Sequence, residues 1–127
     1  MNRIFFILLI VITFLSCKKE HITNNSSNLE IKIKKPTANQ IFNSPEEVEF
    51  EFEANASSEI HGYEFRILKL PNKEQLKIQN EHVHIKNLQR TYKWSPDTLK
   101  GFFQFELKIF PDHEGMFKRD TVNFEVL

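Results

Sequence analysis

Residues 47 to 54 read EVEFEFEA, in which Val48, Phe50, Phe52 and Ala54 alternate with Glu47, Glu49, Glu51 and Glu53. A period of two places the four apolar side chains on one face of a strand and the four carboxylates on the other. A helix would instead spread the glutamates around its whole surface. The alternation returns in EIKIKK with Ile31 and Ile33, and in YEFRI with Tyr63, Phe65 and Ile67. It appears again in FQFELKI with Phe103, Phe105, Leu107 and Ile109, and in TVNFEV with Val122, Phe124 and Val126.

Strands are therefore expected at 29–34, 47–54, 61–69, 74–79, 83–94 with a break near Asn87, 102–110 and 118–126. Turn signals separate them at Pro36, Pro45, Pro71 with Asn72, Ser95 to Asp97, and Asp112 to Gly115. No segment has the length of a crossover helix, so a parallel sheet is disfavoured. The expected fold is all-β: an immunoglobulin-like antiparallel β-sandwich of about seven strands over residues 29–127, with Trp94, the single tryptophan, in its core. Because Cys17 is the only cysteine, no intrachain disulfide can bridge the two sheets.

The front of the chain has a different character. Residues 1–16, MNRIFFILLIVITFLS, carry one basic residue, Arg3, then an apolar run, and end in Ser16 beside Cys17. That order is the layout of a signal peptide, too short to favour a stable membrane span. Residues 17–28, from Cys17 through KKEHITNNSSN, are polar and read as a tether. Beyond Ser16 the chain holds 16 Lys and Arg against 17 Asp and Glu, a formal charge of −1, so no basic patch points to nucleic acid.

Four of the five histidines are expected on one rim. A strand from His61 towards Leu70 turns at LPNK, and its partner returns through EQLKIQN to His82, which brings His82 back beside His61. In EHVHIK, His82 and His84 share one strand face, while Val83 and Ile85 face the core. The sandwich order would carry the turn DHEG, with His113, to the same end. Imidazoles gathered in this way suit Zn or Cu. His61, His82, His84 and His113 are thus the candidate metal ligands, and Asp112, Glu114 and Glu59 are alternative ligands or outer partners of a ligating imidazole. Gly115 is expected at positive φ in the turn, and Met116 beside Phe117 is expected as packing.

A catalytic reading is the weakest. His61, His82 and His84 with Glu114 as base would imitate a hydrolytic zinc site, but HExxH, a phosphate loop and a nucleophile elbow are all missing from the sequence. No enzyme is expected. The second reading is a non-catalytic interaction module that contacts a protein or glycan partner at the cell envelope through its loops or an edge strand.

Two resemblances add to this. FLSC, residues 14–17, resembles the lipobox of bacterial lipoproteins, with Phe14 where Leu is usual. It implies lipidation of Cys17 and a membrane anchor. Lys18 stands where an inner-membrane retention aspartate would be, which implies an outer-membrane destination on either its periplasmic or its surface face. HGYEF, HVH and DHEG, within about Ile31 to Val126, resemble small immunoglobulin-like lipoprotein domains of the Bacteroidota type, among them the domain family of unknown function DUF4625. That resemblance implies an envelope lipoprotein and assigns no activity.

Overall fold

The computed structural model describes residues Asn28–Leu127. Residues 1–16, expected as a signal peptide, and Cys17 and His21 of the expected tether lie outside the described residues. Six strands make up the described chain: β1 (Glu30–Lys35), β2 (Gln40–Phe42), β3 (Val48–Lys69), β4 (Glu74–Trp94), β5 (Gly101–Phe110) and β6 (Lys118–Val126). The alternating segments thus lie in strands, and two pairs of expected strands are fused. Residues 47–54 and 61–69 belong to one 22-residue strand, and 74–79 and 83–94 belong to one of 21 residues. Strand β2, three residues long and without a period of its own, was not expected.

The fused strands explain the architecture. The first half of β3 pairs antiparallel with β1 and with the last part of β4, as in Ile33↔Phe52 and Phe50↔Tyr92. The second half pairs with the first part of β4 and with β5, as in Phe65↔Gln79 and Phe65↔Leu107. Strand β6 follows antiparallel to β5, and β2 lies parallel to β6 at the far edge. Two layers therefore face each other, joined at one corner where β3 and β4 pass together from one to the other. The crossing also inverts parity: β3 buries the even residues Val48 to Ala54, then the odd residues Tyr63, Phe65 and Ile67. A strand can change parity only through an irregular segment, and the β3/β4 register shifts between Asn55 and Gly62.

Aromatic rings fill the space between the layers. Phe50 stacks on Phe105 at 4.6 Å, and Phe65 meets Tyr92 at 4.7 Å. Trp94 is half-buried and closes one end against Phe103 at 5.5 Å. Phe52 is fully buried and touches rings from both layers, Tyr92 on one side and Phe65 and Phe105 on the other. The outward glutamates of β3 and Glu47 just before it meet lysines of the neighbouring strands: Glu53 with Lys34 at 2.6 Å, Glu49 with Lys35 at 3.0 Å, and Glu47 with Lys93 at 3.5 Å. Solvent screens such exposed pairs and they add little, whereas the buried rings contribute most of the stability.

Phe52→Ala is expected to cost about 3 to 5 kcal/mol in urea unfolding, from lost burial and the cavity left behind. Phe102→Ala, at a position 60% exposed, is expected to change stability by less than about 0.5 kcal/mol. Equal costs at the two positions would contradict this account of the core.

Candidate metal centre

The corner where β3 and β4 cross is also where the histidines gather. In the β3/β4 ladder Asn55 pairs with Asn87, Ile60 with Ile85 and Gly62 with His82. The ladder therefore skips Glu59 and His61 on one strand and Val83 and His84 on the other. Backbone released from regular pairing turns Ile60 and Val83 into the core and leaves Glu59, His61 and His84 on the rim, where they are half-buried or exposed. His113 joins them from the β5–β6 turn, in which Gly115 takes φ 82° as its turn position requires.

All four expected rings lie in one cluster. Centroid separations are 4.1 Å for His61 and His113, 4.7 Å for His82 and His84, 5.0 Å for His61 and His84, and 5.5 Å for His82 and His113. Ligand atoms of Glu59, His61 and His84 lie within 4.8 Å of one another. His84 is the hub of the cluster. Its Nδ1 is 3.5 Å from Glu59 Oε2, and its Nε2 is 2.9 Å from His82 Nε2, so one of that nitrogen pair carries the proton and donates to the other. His61 Nδ1 is buried and has no hydrogen-bond partner among the described residues. An unpaired buried nitrogen is costly, and a bound ion is one of the things that accounts for it.

The acids expected near the rim divide. Glu59 reaches a histidine. Asp112 instead accepts the Glu114 backbone N–H at 2.9 Å and holds the turn that carries His113, and Glu114 is exposed. Asp112 thus has a turn-forming role in this arrangement.

A shallow cleft of about 350 Å³ opens beside the cluster, lined by His61, Tyr63, Glu81, His82, Phe110 and His113 among others. One wall is a polar network that the sequence did not reveal. Tyr63 donates to Glu81, Tyr92 donates to the Tyr63 oxygen, and Arg90 holds both Glu81 oxygens at 2.9 and 3.3 Å. Burial, followed by the bond to Glu81, pushes the Tyr63 phenol well above its ordinary range. The hydrogen bonds from Arg90, then from Tyr63, hold Glu81 below the usual carboxylate range. Gly62 completes this wall: a Cβ there would press on the Glu81 carbonyl at 3.0 Å, so a bare backbone is what lets β4 lie close at Glu81 and His82. The one trace of the network in sequence is that Tyr63 and Tyr92 occupy inward positions although each bears a hydroxyl, which needs a partner once buried.

No protein-family model and no curated protein matches the chain. Among solved structures it is similar to the fibronectin type III-like modules of CbhA from Clostridium thermocellum, with TM-score 0.52 and 16% identity over 77% of this chain and 46% of that one. The chain has an immunoglobulin-like fold. The CARDB domain of a Pyrococcus furiosus protein gives TM-score 0.51 and 14% identity over 79% of this chain and 94% of that chain. A β-glucosidase from Listeria innocua gives 0.52 and 12%, over 78% of this chain but only 16% of its own length. The present chain therefore spans about half of the CbhA structure and a small part of the glucosidase, and at these identities the likeness is one of fold alone.

The network gives this wall a pH signature. Glu81, lowered in the folded state, contributes stability above the unfolded carboxylate value of about 4.3 and loses that contribution as pH falls through its lower folded value. Tyr63, raised, contributes below the unfolded value of about 10 and loses it as pH rises beyond. Glu81→Gln is expected to be less stable than the parent at pH 7, with the difference shrinking in urea unfolding as the pH drops below about 4. A difference that stayed constant down to pH 2 would remove Glu81 from this role.

Proposed function

We propose that this chain is a lipid-anchored envelope protein whose immunoglobulin-like domain holds a divalent transition metal, Zn(II) or Cu(II), at the corner where β3 and β4 cross. The observation that carries this reading is the convergence of Glu59 and His61 of β3 with His84 of β4, together with a buried and unpaired nitrogen on His61 itself. Neutral imidazole and carboxylate are donors for both metals. His82 and His113 flank the group and supply further nitrogens. The role that fits such a site is capture, buffering or transfer of the ion. No catalytic step is assigned, because the cleft is shallow and no group in it is placed as a nucleophile.

A second reading draws on the fold. Immunoglobulin-like domains serve as interaction modules, and Phe102 and Ile41 are exposed on either side of Glu125 in neighbouring strands, β5, β6 and β2. In that reading the rim histidines form a solvated hydrogen-bonded cluster, and no metal is needed for partner binding.

A metal bound only by the folded state stabilises it by mass action, by about 2.7 kcal/mol at a hundredfold excess over Kd, which is a gain of several degrees in Tm. That gain is expected with Zn(II) or Cu(II), is expected to vanish on chelation, and is expected to be lost in His84→Ala. It should also fade on acidification, since protonated imidazole cannot ligate. An undiminished gain in His84→Ala, or none in the parent, would leave the interaction-module reading standing.

The anchor has its own check. Labelled palmitate is expected to enter the parent chain in a lipoprotein-processing bacterial host and to be absent from Cys17→Ser. Equal labelling of the two would exclude Cys17 as the acylated residue.

A further inference from the structure

The two nitrogens of His84 face different groups. Nδ1 lies 3.5 Å from Glu59 Oε2, while Nε2 lies 2.9 Å from His82 Nε2, with His113 stacked on His82 at 5.5 Å and 22°. The nitrogens of one imidazole point away from each other, so a single ion can be reached by one of them only. With one ion at Glu59, His61 and His84 Nδ1, the His84 Nε2 and His82 Nε2 pair is left over, sharing one proton between two lone pairs. Two nitrogens that each sit about 2.0 to 2.1 Å from a common ion are about 2.9 Å apart at a right angle and about 3.3 Å apart at a tetrahedral one. The hydrogen-bonded separation of 2.9 Å thus already brings the two nitrogens within reach of one ion once the shared proton leaves.

We propose, building on the metal-binding reading above, that the rim takes two divalent d-block ions bridged by the His84 ring. Glu59, His61 and His84 Nδ1 hold the first. His82 and His84 Nε2 hold the second, and His113, on its exposed turn with its ring 4.1 Å from that of His61 and 5.5 Å from that of His82, stands beside both. The ions then lie about 6 Å apart across the imidazole, given the metal-to-nitrogen distances above. Charge and protons balance through the bridge. Neutral His84 carries one ring proton, the first ion leaves it on Nε2 or shared with His82, and the second ion displaces it to solvent, so that the ring becomes an imidazolate between two cations. An all-imidazole second position suits Cu(II), since tetragonal nitrogen sets select copper or nickel while zinc prefers a tetrahedron.

The test uses the full chain in detergent micelles with Cys17→Ser and His21→Ala, so that the remaining imidazoles are those of the rim. Cu(II) is titrated in against a competing chelator, and the electron paramagnetic resonance signal is integrated at each addition. Two equivalents are expected per chain, with the spin signal rising over the first and falling over the second as the bridged ions couple. His82→Ala, at an exposed position outside the core, is expected to bind one equivalent with its full spin signal. One equivalent in both proteins would overturn the second site and leave the proposed function intact. Two equivalents with undiminished spin would overturn the bridge. No binding in the parent would overturn both the inference and the metal-binding reading on which it rests.

Discussion

The structure depends on one constraint: β3 and β4 remain paired with each other while both pass from one layer of the sandwich to the other. Strands that leave a sheet together must do so at the same corner, and the parity of each must be reset there so that its apolar side chains face inward in both layers. The ladder meets this by shifting register between Asn55 and Gly62. The side chains that the shift releases from regular pairing are the donors of the candidate metal centre. The bulges that make the fold possible therefore also aim Glu59, His61 and His84 at one another, in keeping with the placing of bulges beside functional sites.

Rim and core are built from different forces. Inside, Phe50, Phe52, Phe65, Phe105 and Phe124 form a continuous stack of rings between the layers, and their burial supplies the free energy that no disulfide contributes. Outside, charge pairs on the sheet faces are exposed and add little. The network of Tyr63, Glu81, Arg90 and Tyr92 joins the two regimes. Tyr63 packs its ring against Phe52 and sends its hydroxyl to a carboxylate that lines the cleft. It thereby fixes Glu81, and with it the backbone that carries His82, against a rigid part of the core. The backbone beside His82 is thus braced through Glu81 and Tyr63, whereas His113 rests on an exposed turn held by Asp112.

Much of the fold was legible in the chain. Alternation of period two identified the long strands, because burial on one face and solvent on the other act on every second residue. The hairpin through LPNK was enough to bring His82 back towards His61, and the glycine in DHEG marked a left-handed turn position, which Gly115 occupies. Strand β2 was not legible. Of QIF only Phe42 is buried, and three residues carry no period. The fusion of strands was half-written: the switch from even to odd apolar positions between Ala54 and Tyr63 shows that something irregular intervenes, but reads equally well as a loop.

By itself the sequence determined the all-β class, the inward and outward faces of the strands with clear alternation, and the set of histidines able to meet, since these follow from local periodicity and turn chemistry. The tertiary structure alone decided that two strands run unbroken through both layers and that Glu59 reaches a histidine while Asp112 caps its own turn. It also decided that a tyrosine and arginine network backs the cleft. The physical reason is that these outcomes depend on how far a ladder slips at the corner. A slip is set by packing between the two layers and not by any residue's own preference, so it leaves almost no mark on the order of amino acids.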